Sequence, residues 1–129
     1  MPKQTLQLLE DELTIHSLSP DQAIPIEVVS AELFFIGKTY EELSIVCPSN
    51  LPVQSDASEP GWKALEVLGP LGFSLTGILS NISGVLADAN ISIFAVSTFD
   101  TDYIMVKEGH VLDAIKALRK DGYKVLTDD

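Results

Sequence analysis

The sequence predicts an α+β protein made of two tandem ferredoxin-like modules, the N-terminal one reduced, with antiparallel sheets and helices on one face. Three observations lead there. The segment Trp62 to Leu126 alternates strand and helix signals in the order βαββαβ. One constant shift of 59 residues lays parts of the first half on the second. Between the halves, Pro48 to Gly61 (PSNLPVQSDASEPG) is polar and turn-rich, and reads as a linker. The expected division is residues 1–58 and 59–129.

The second half supplies the clearer elements. Trp62 to Leu68 (WKALEVL) alternates as a strand does, and Gly69, Pro70 and Gly72 break it. Leu75 to Ala89 places Ile78, Ile82, Val85 and Leu86 on one helical stripe. Ser74 or Thr76 is the expected N-cap, and Asn90 the left-handed stop. Ile91 to Thr98 is β-branched and aromatic, Asp100 and Thr101 signal a tight turn, and Tyr103 to Val106 is the return strand. His110 to Lys120 is expected to be helical, with Val111, Leu112, Ile115 and Leu118 on its buried face and Lys116, Arg119 and Lys120 suiting its C-terminal dipole. Gly122 stops it, and Tyr123 to Leu126 closes the module as a strand.

The shift pairs Leu6, Leu8 and Leu9 with Leu65, Val67 and Leu68. It also pairs Phe34, Phe35, Thr39, Tyr40, Glu41, Ile45 and Val46 with Ile93, Phe94, Thr98, Phe99, Asp100, Ile104 and Met105. The match of an aromatic after threonine, and of an acid after that aromatic, argues for an internal duplication. The copy is incomplete. Pro20, Pro25 and the β-branched run at Ile24 to Val29 disfavour a full first helix, and no amphipathic helix follows Cys47.

Bulk properties narrow the function. At 46% hydrophobic residues over 129 positions, the chain supports a packed core. Its net charge of −11 repels phosphate backbones and anionic lipid, so neither nucleic acid nor membrane is an expected partner. Acids outnumber bases ten to two before Gly61 and nine to six after it. Cys47 is the single cysteine, which excludes an intrachain disulfide and a thiolate metal cluster. The first ten residues lack a secretory pattern, no run reaches the ~20 apolar residues of a membrane helix, and a cytoplasmic location is expected.

With the βαββαβ order in place, the segment Leu65 to Val106 resembles the ACT domain of the CASTOR-like group, which includes small bacterial and fungal proteins and a cytosolic arginine sensor of animals. GPLGFSLTGIL (Gly69 to Leu79) and STFDTDYIMV (Ser97 to Val106) carry most of the resemblance. KTYEELSIVCP (Lys38 to Pro48) is similar to the matching N-terminal segment. The resemblance implies paired modules, an amino acid held at the junction of two of them, and no reaction. It implies a homodimer and regulation of a separate, unidentified protein, since the chain has no room for a catalytic domain.

The candidate ligand-binding residues are Ser44, Ile45, Gly72, Phe73, Ser74, Thr76, Thr98, Phe99 and Asp102. Glycines at a helix start permit close approach, and the N–H groups there attract an α-carboxylate; a tight β-to-α turn accounts for the same glycines. By the resemblance, Asp102 anchors the ligand ammonium with a charge-assisted hydrogen bond, while Ser44 and Ile45 touch the ligand from the opposite module. Thr98 offers backbone groups to the pocket, and Phe99 is either its wall or core. Asp100 is expected in the turn.

No cofactor, metal or catalytic residue is expected. No HExxH, GxGxxG or GxxxxGK[ST] pattern occurs. His16 and His110 read as structural or solvated, Cys47 as a buried thiol and Trp62 as an anchor in the core or an interface. An enzyme built on Asp100, Asp102 or Cys47 lacks a complete constellation. The alternative to a sensor is an ACT-like module that dimerises or binds proteins without a ligand.

Overall fold

The computed structural model describes residues 3–68 and 77–127. Its elements run β1 (Thr5–Leu18), α1 (Ile26–Val29), β2 (Phe35–Lys38), β3 (Leu43–Pro48), β4 (Ala57–Val67), α2 (Ile78–Asp88), β5 (Phe94–Ser97), β6 (Asp102–Lys107), a 3-10 turn (Glu108–His110), α3 (Val111–Lys120) and β7 (Lys124–Leu126). Two compact units result, Met1–Glu10 with Lys63–Asp129, and Asp11–Trp62. These bounds differ from a division at residues 58 and 59. The cause is β1, whose first residues join the later unit by pairing with β7 and β4.

In the larger unit the strands lie in the order β7-β1-β4-β6-β5. Here β4, α2, β5, β6, α3 and β7 follow the expected βαββαβ order. One feature departs from an all-antiparallel sheet. β1 inserts between β4 and β7; it runs antiparallel to β4 and parallel to β7, with Thr5, Leu6 and Gln7 opposite Lys124, Val125 and Leu126. Helices α2 and α3 cover one face. Ile82 and Leu86 from α2, with Val111, Ala114, Ile115 and Leu118 from α3, pack on Leu6, Leu65, Val67, Ile104, Val106 and Val125. Fourteen buried side chains in one cluster provide the main drive for this unit to fold.

Several local expectations change. Leu112 is 74% exposed, because the buried stripe of α3 runs through Val111, Ala114, Ile115 and Leu118 and Leu112 lies about 100° around the helix from Val111. The N-cap of α2 is Gly77, at a φ of 79°, so the helix begins after Ser74 and Thr76. Asn90 does take the left-handed conformation at φ 61°, and Gly122 ends α3 at φ 99°. Pro60 and Gly61 lie inside β4, which starts at Ala57 and shortens the linker. Leu6 and Leu65 are strand neighbours of one core, with the Leu68 N–H donating to the Thr5 carbonyl at 2.8 Å. They are therefore packing partners, and the apolar patterns of β1 and β4 match because both face the same helices.

The smaller unit has the order β2-β3-β1, with the Asp56 N–H donating to the Ser17 carbonyl at 2.9 Å at the start of β4. Leu18, Val28, Leu43, Ile45 and Cys47 form its core, and Phe34, Leu51 and Val53 pack around them. Its single helix is the four-residue α1 behind Pro25. The β-branched run and the prolines limit it to one turn, and Val28 is its buried contact.

Candidate functional site

The β5–β6 hairpin carries three of the candidate residues. At its corner the Thr98 N–H donates to the Thr101 carbonyl at 2.8 Å. The Thr98 hydroxyl donates to the same carbonyl at 3.0 Å and accepts from the Thr101 N–H at 3.2 Å. Thr101 is buried, and its hydroxyl donates to the carbonyl of Val67, the last residue of β4. The corner is thus fixed to the end of the strand from which the chain departs toward α2. The sequence marks Thr101 only as a turn residue, since its bond to β4 depends on which strand lies beside it.

Asp102 follows immediately, opposite Ser97. Strand alternation puts it on the face of Ile104 and Val106, which is the face the helices cover. Its side chain is half-buried. The other face carries Tyr103, whose hydroxyl donates to Glu66 Oε2 at 3.4 Å. Burial pushes the Tyr103 phenol up, and the charge of Glu66, its hydrogen bond and the charge of Asp100 push the same way. Carboxylates at Glu66, Asp100 and Asp102 make this corner electronegative, which suits a cationic group such as an ammonium. Phe99, at the tip, is 83% exposed and is not core.

Ser44 and Ile45 lie on β3 in the smaller unit. Ile45 is fully buried in that unit's core, so its side chain supports the strand from behind. Ser44 is half-buried and stands in a row of small residues, opposite Gly37 on β2 and Ser17 on β1. A Cβ added at Gly37 would meet nothing within 4 Å, so the surface beside Ser44 is open. Gly72, Phe73, Ser74 and Thr76 lie outside the described residues.

Surface hollows also occur among the described residues of the larger unit. One of about 410 Å³ lies between α2 and α3, lined by Val85, Asp88, Ala89, Ala117, Lys120 and Asp121. Another, of about 210 Å³, is lined by Leu8, Leu9, Val111, Leu112 and Ile115 with Glu10, Lys63 and Thr127. Neither is lined by Thr98, Phe99 or Asp102. Near the first, Lys3 and Asp121 pair at 2.5 Å. Asn81 donates to Asp121 and to the Tyr123 hydroxyl, which ties the N-terminal strand to both helices.

Cys47 and His16 are buried titratable side chains. Cys47 is buried, and burial pushes its thiol up, away from the reactive thiolate. His16 is buried, with Nδ1 at 2.9 Å from the Ser55 hydroxyl, and desolvation lowers its pKa. Among the described residues no group of three His, Cys, Asp or Glu side chains converges as a metal site, and no helix is long and apolar enough to cross a membrane.

Comparison with known proteins gives this geometry a family. Residues 57–120 match the model of the ACT domain. Protein Atu0741 from Agrobacterium tumefaciens superposes with a TM-score of 0.90 at 32% identity, covering 100% of this chain and 96% of that one. This chain is an ACT-domain protein. The ACT match begins at the first residue of β4 and ends at the last of α3, so it takes in the whole hairpin with Thr98 and Asp102. The cytosolic arginine sensor for mTORC1 subunit 1 of Bos taurus is 40% identical over 78 residues, which is 58% of this chain and 23% of that protein. The chain therefore spans less than a quarter of the length of that relative. The regulatory subunit of aspartate kinase from Thermus thermophilus shares the fold, with a TM-score of 0.62 at 10% identity over 92% of this chain and 97% of that one.

Proposed function

We propose that this ACT-domain protein is a non-catalytic regulatory sensor of the CASTOR-like group, which binds a free amino acid at an interface between ACT modules and acts as a homodimer on another protein. The observation that carries this reading is Asp102. It is a half-buried carboxylate on the helix-covered face, held by a corner that is hydrogen-bonded to the end of β4. An α-amino acid is a zwitterion and needs an acceptor for its ammonium and a group of donors for its carboxylate. Asp102 is the acceptor in this scheme. The main-chain N–H groups of Gly72, Phe73, Ser74 and Thr76 ahead of α2 are the donors. Thr98 and Phe99 border the ligand, and Ser44, backed by Ile45, contacts it from the second module. The printed name of the bovine relative, an arginine sensor, supports the ligand class. The reduced N-terminal half, residues 1–58, serves as the second, degenerate ACT module.

Isothermal titration of the protein against each of the twenty amino acids tests the reading. At least one is expected to bind. Asp102→Asn should then weaken that binding ~10–100-fold, the loss of a charged hydrogen bond of about 1.5–3 kcal/mol. Absence of heat with every amino acid at millimolar concentration refutes it. A second reading, an interaction module of ACT fold without ligand, is favoured by the exposed aromatics at both hairpin tips, Tyr40 at 103% and Phe99 at 83%. It predicts a stable assembly that no amino acid alters.

A further inference from the structure

We infer that the outer face of α1 is a docking surface for a basic, amphipathic segment of another protein. This gives a place and a chemistry to the partner of the regulatory role proposed above, and rests on that role only for there being a partner. Val28 packs into the core of the smaller unit, and helix geometry puts Val29 about 100° and Ile26 about 160° around the axis from it. Both therefore face away from that core. Ile26 is 70% exposed and Val29 45%, and Ile24, just ahead of the helix, is exposed as well. One exposed apolar side chain is ordinary. Three within six residues, two of them neighbours on one helical turn, mark an interaction surface.

The surface is held in shape before any partner arrives. The Ser30 N–H donates to the Ile26 carbonyl at 3.0 Å, and the Ala31 N–H to the Val28 carbonyl at 3.0 Å. The Gln22 side-chain amide donates to the Gln54 carbonyl at 3.3 Å and ties down the approach to the helix. Docking then costs little ordering of this segment.

Charge identifies the occupant. The unit Asp11–Trp62 carries nine Asp and Glu residues against one base, Lys38. Glu27 is on α1 itself, Asp21 and Glu32 flank it, and all three are exposed. Among the described residues none of the three is in an ion pair. A second copy would bring the same negative field against this face, and anionic lipid is repelled by it in the same way. A segment with Lys or Arg around an apolar stripe meets both features: its stripe covers Ile26 and Val29, and its cations lie among the acids.

The test titrates the isotope-labelled full chain with a short synthetic peptide carrying Leu and Lys at helical spacing, and with the same peptide carrying Glu for Lys. Amide shifts are expected to concentrate at residues 24–32 with the Lys peptide, to fade as salt is raised, and to be absent with the Glu peptide. The double variant Ile26→Ser, Val29→Ser should weaken peptide binding at least ~10-fold. Glu27→Lys, which leaves the apolar residues in place, should weaken it at least ~3-fold. Parent-like binding by both variants, shifts spread over the acids of both units, or no binding at millimolar peptide overturns the docking surface. A dimer in sedimentation, or binding to phosphatidylglycerol vesicles, that the double variant abolishes also overturns it, since each gives the face another occupant. Amino-acid titration keeps this inference apart from sensing: the double variant should bind an amino acid as the parent does. Peptide binding at α1 by a chain that takes up no amino acid refutes sensing alone and supports the docking surface.

Discussion

Thr39 and Thr98 occupy the same corner of two hairpins, and each uses its main-chain N–H and its hydroxyl on the residue three positions ahead. The Thr39 N–H reaches the Glu42 carbonyl at 2.9 Å and the Thr98 N–H reaches that of Thr101 at 2.8 Å. The Glu42 N–H donates to the Thr39 hydroxyl at 3.1 Å, and the Thr101 N–H donates to the Thr98 hydroxyl at 3.2 Å. Strand propensity alone explains similar apolar patterns. It does not explain a shared corner with shared side-chain bonds, so the hairpins are best understood as copies.

If the corners are equivalent, their threonines should cost the same to remove. Thr39→Val and Thr98→Val keep the β-branched shape and delete the hydroxyl. Each is expected to destabilise by about 1 kcal/mol, the net worth of an ordinary hydrogen bond, with urea denaturation as the measurement. A cost at Thr98 much above that at Thr39 would show that the buried Thr101 bond depends on its corner, and would break the equivalence.

Position along α3 decides a second pair of variants. Leu118 is fully buried between helix and sheet, whereas Leu112 is 74% exposed. Leu118→Ala removes packed methyl groups and leaves a cavity, at an expected cost of ~2–5 kcal/mol. Leu112→Ala should change stability by less than about 0.5 kcal/mol. Equal losses at both positions in chemical denaturation would contradict this placement of the helix.

That contrast shows where the sequence is legible. Periodicity located α3 and α2, and turn chemistry located Asn90, Gly122 and the Asp100–Thr101 corner, because these depend on local residues alone. Apolar spacing alone puts Leu112 on the buried face of α3 because Ala114 contributes little to such a pattern, yet Ala114 packs fully. The insertion of β1 between β4 and β7 has no local signature, since an alternating strand does not reveal its neighbours. For the candidate site, Asp102 is readable only through the family resemblance, whereas Thr98 is marked by the repeat as well, where it pairs with Thr39. The roles of Thr101 and the Gly37–Ser44 pair are not readable, because they depend on which strands lie beside them.

Asn90 closes α2 in the left-handed conformation at φ 61°. Asparagine tolerates this region and β-branched residues do not. Asn90→Gly should therefore be within a few tenths of a kcal/mol of the parent, and Asn90→Val should lose about 1–2 kcal/mol. Thermal unfolding of the two variants checks it, and a harmless valine would argue against the left-handed helix stop.

His16 gives the smaller unit a defined response to acid. It is buried beside the Ser55 hydroxyl, paired across the strand with Ile45, and desolvation holds its pKa below the ordinary ~6.5. The unfolded chain therefore binds a proton at a higher pH than the folded one. Stability from a neutral His16 is fully present above about pH 6.5 and is lost as pH falls through that value toward the lowered pKa. Denaturant unfolding at pH 7.5 and pH 5.5 should show a drop for the parent that His16→Gln reduces. The lower limit of pH 5.5 avoids most carboxylate protonation, so the difference between the two proteins isolates the imidazole. An equal drop in both would mean that His16 is not the group whose burial opposes protonation.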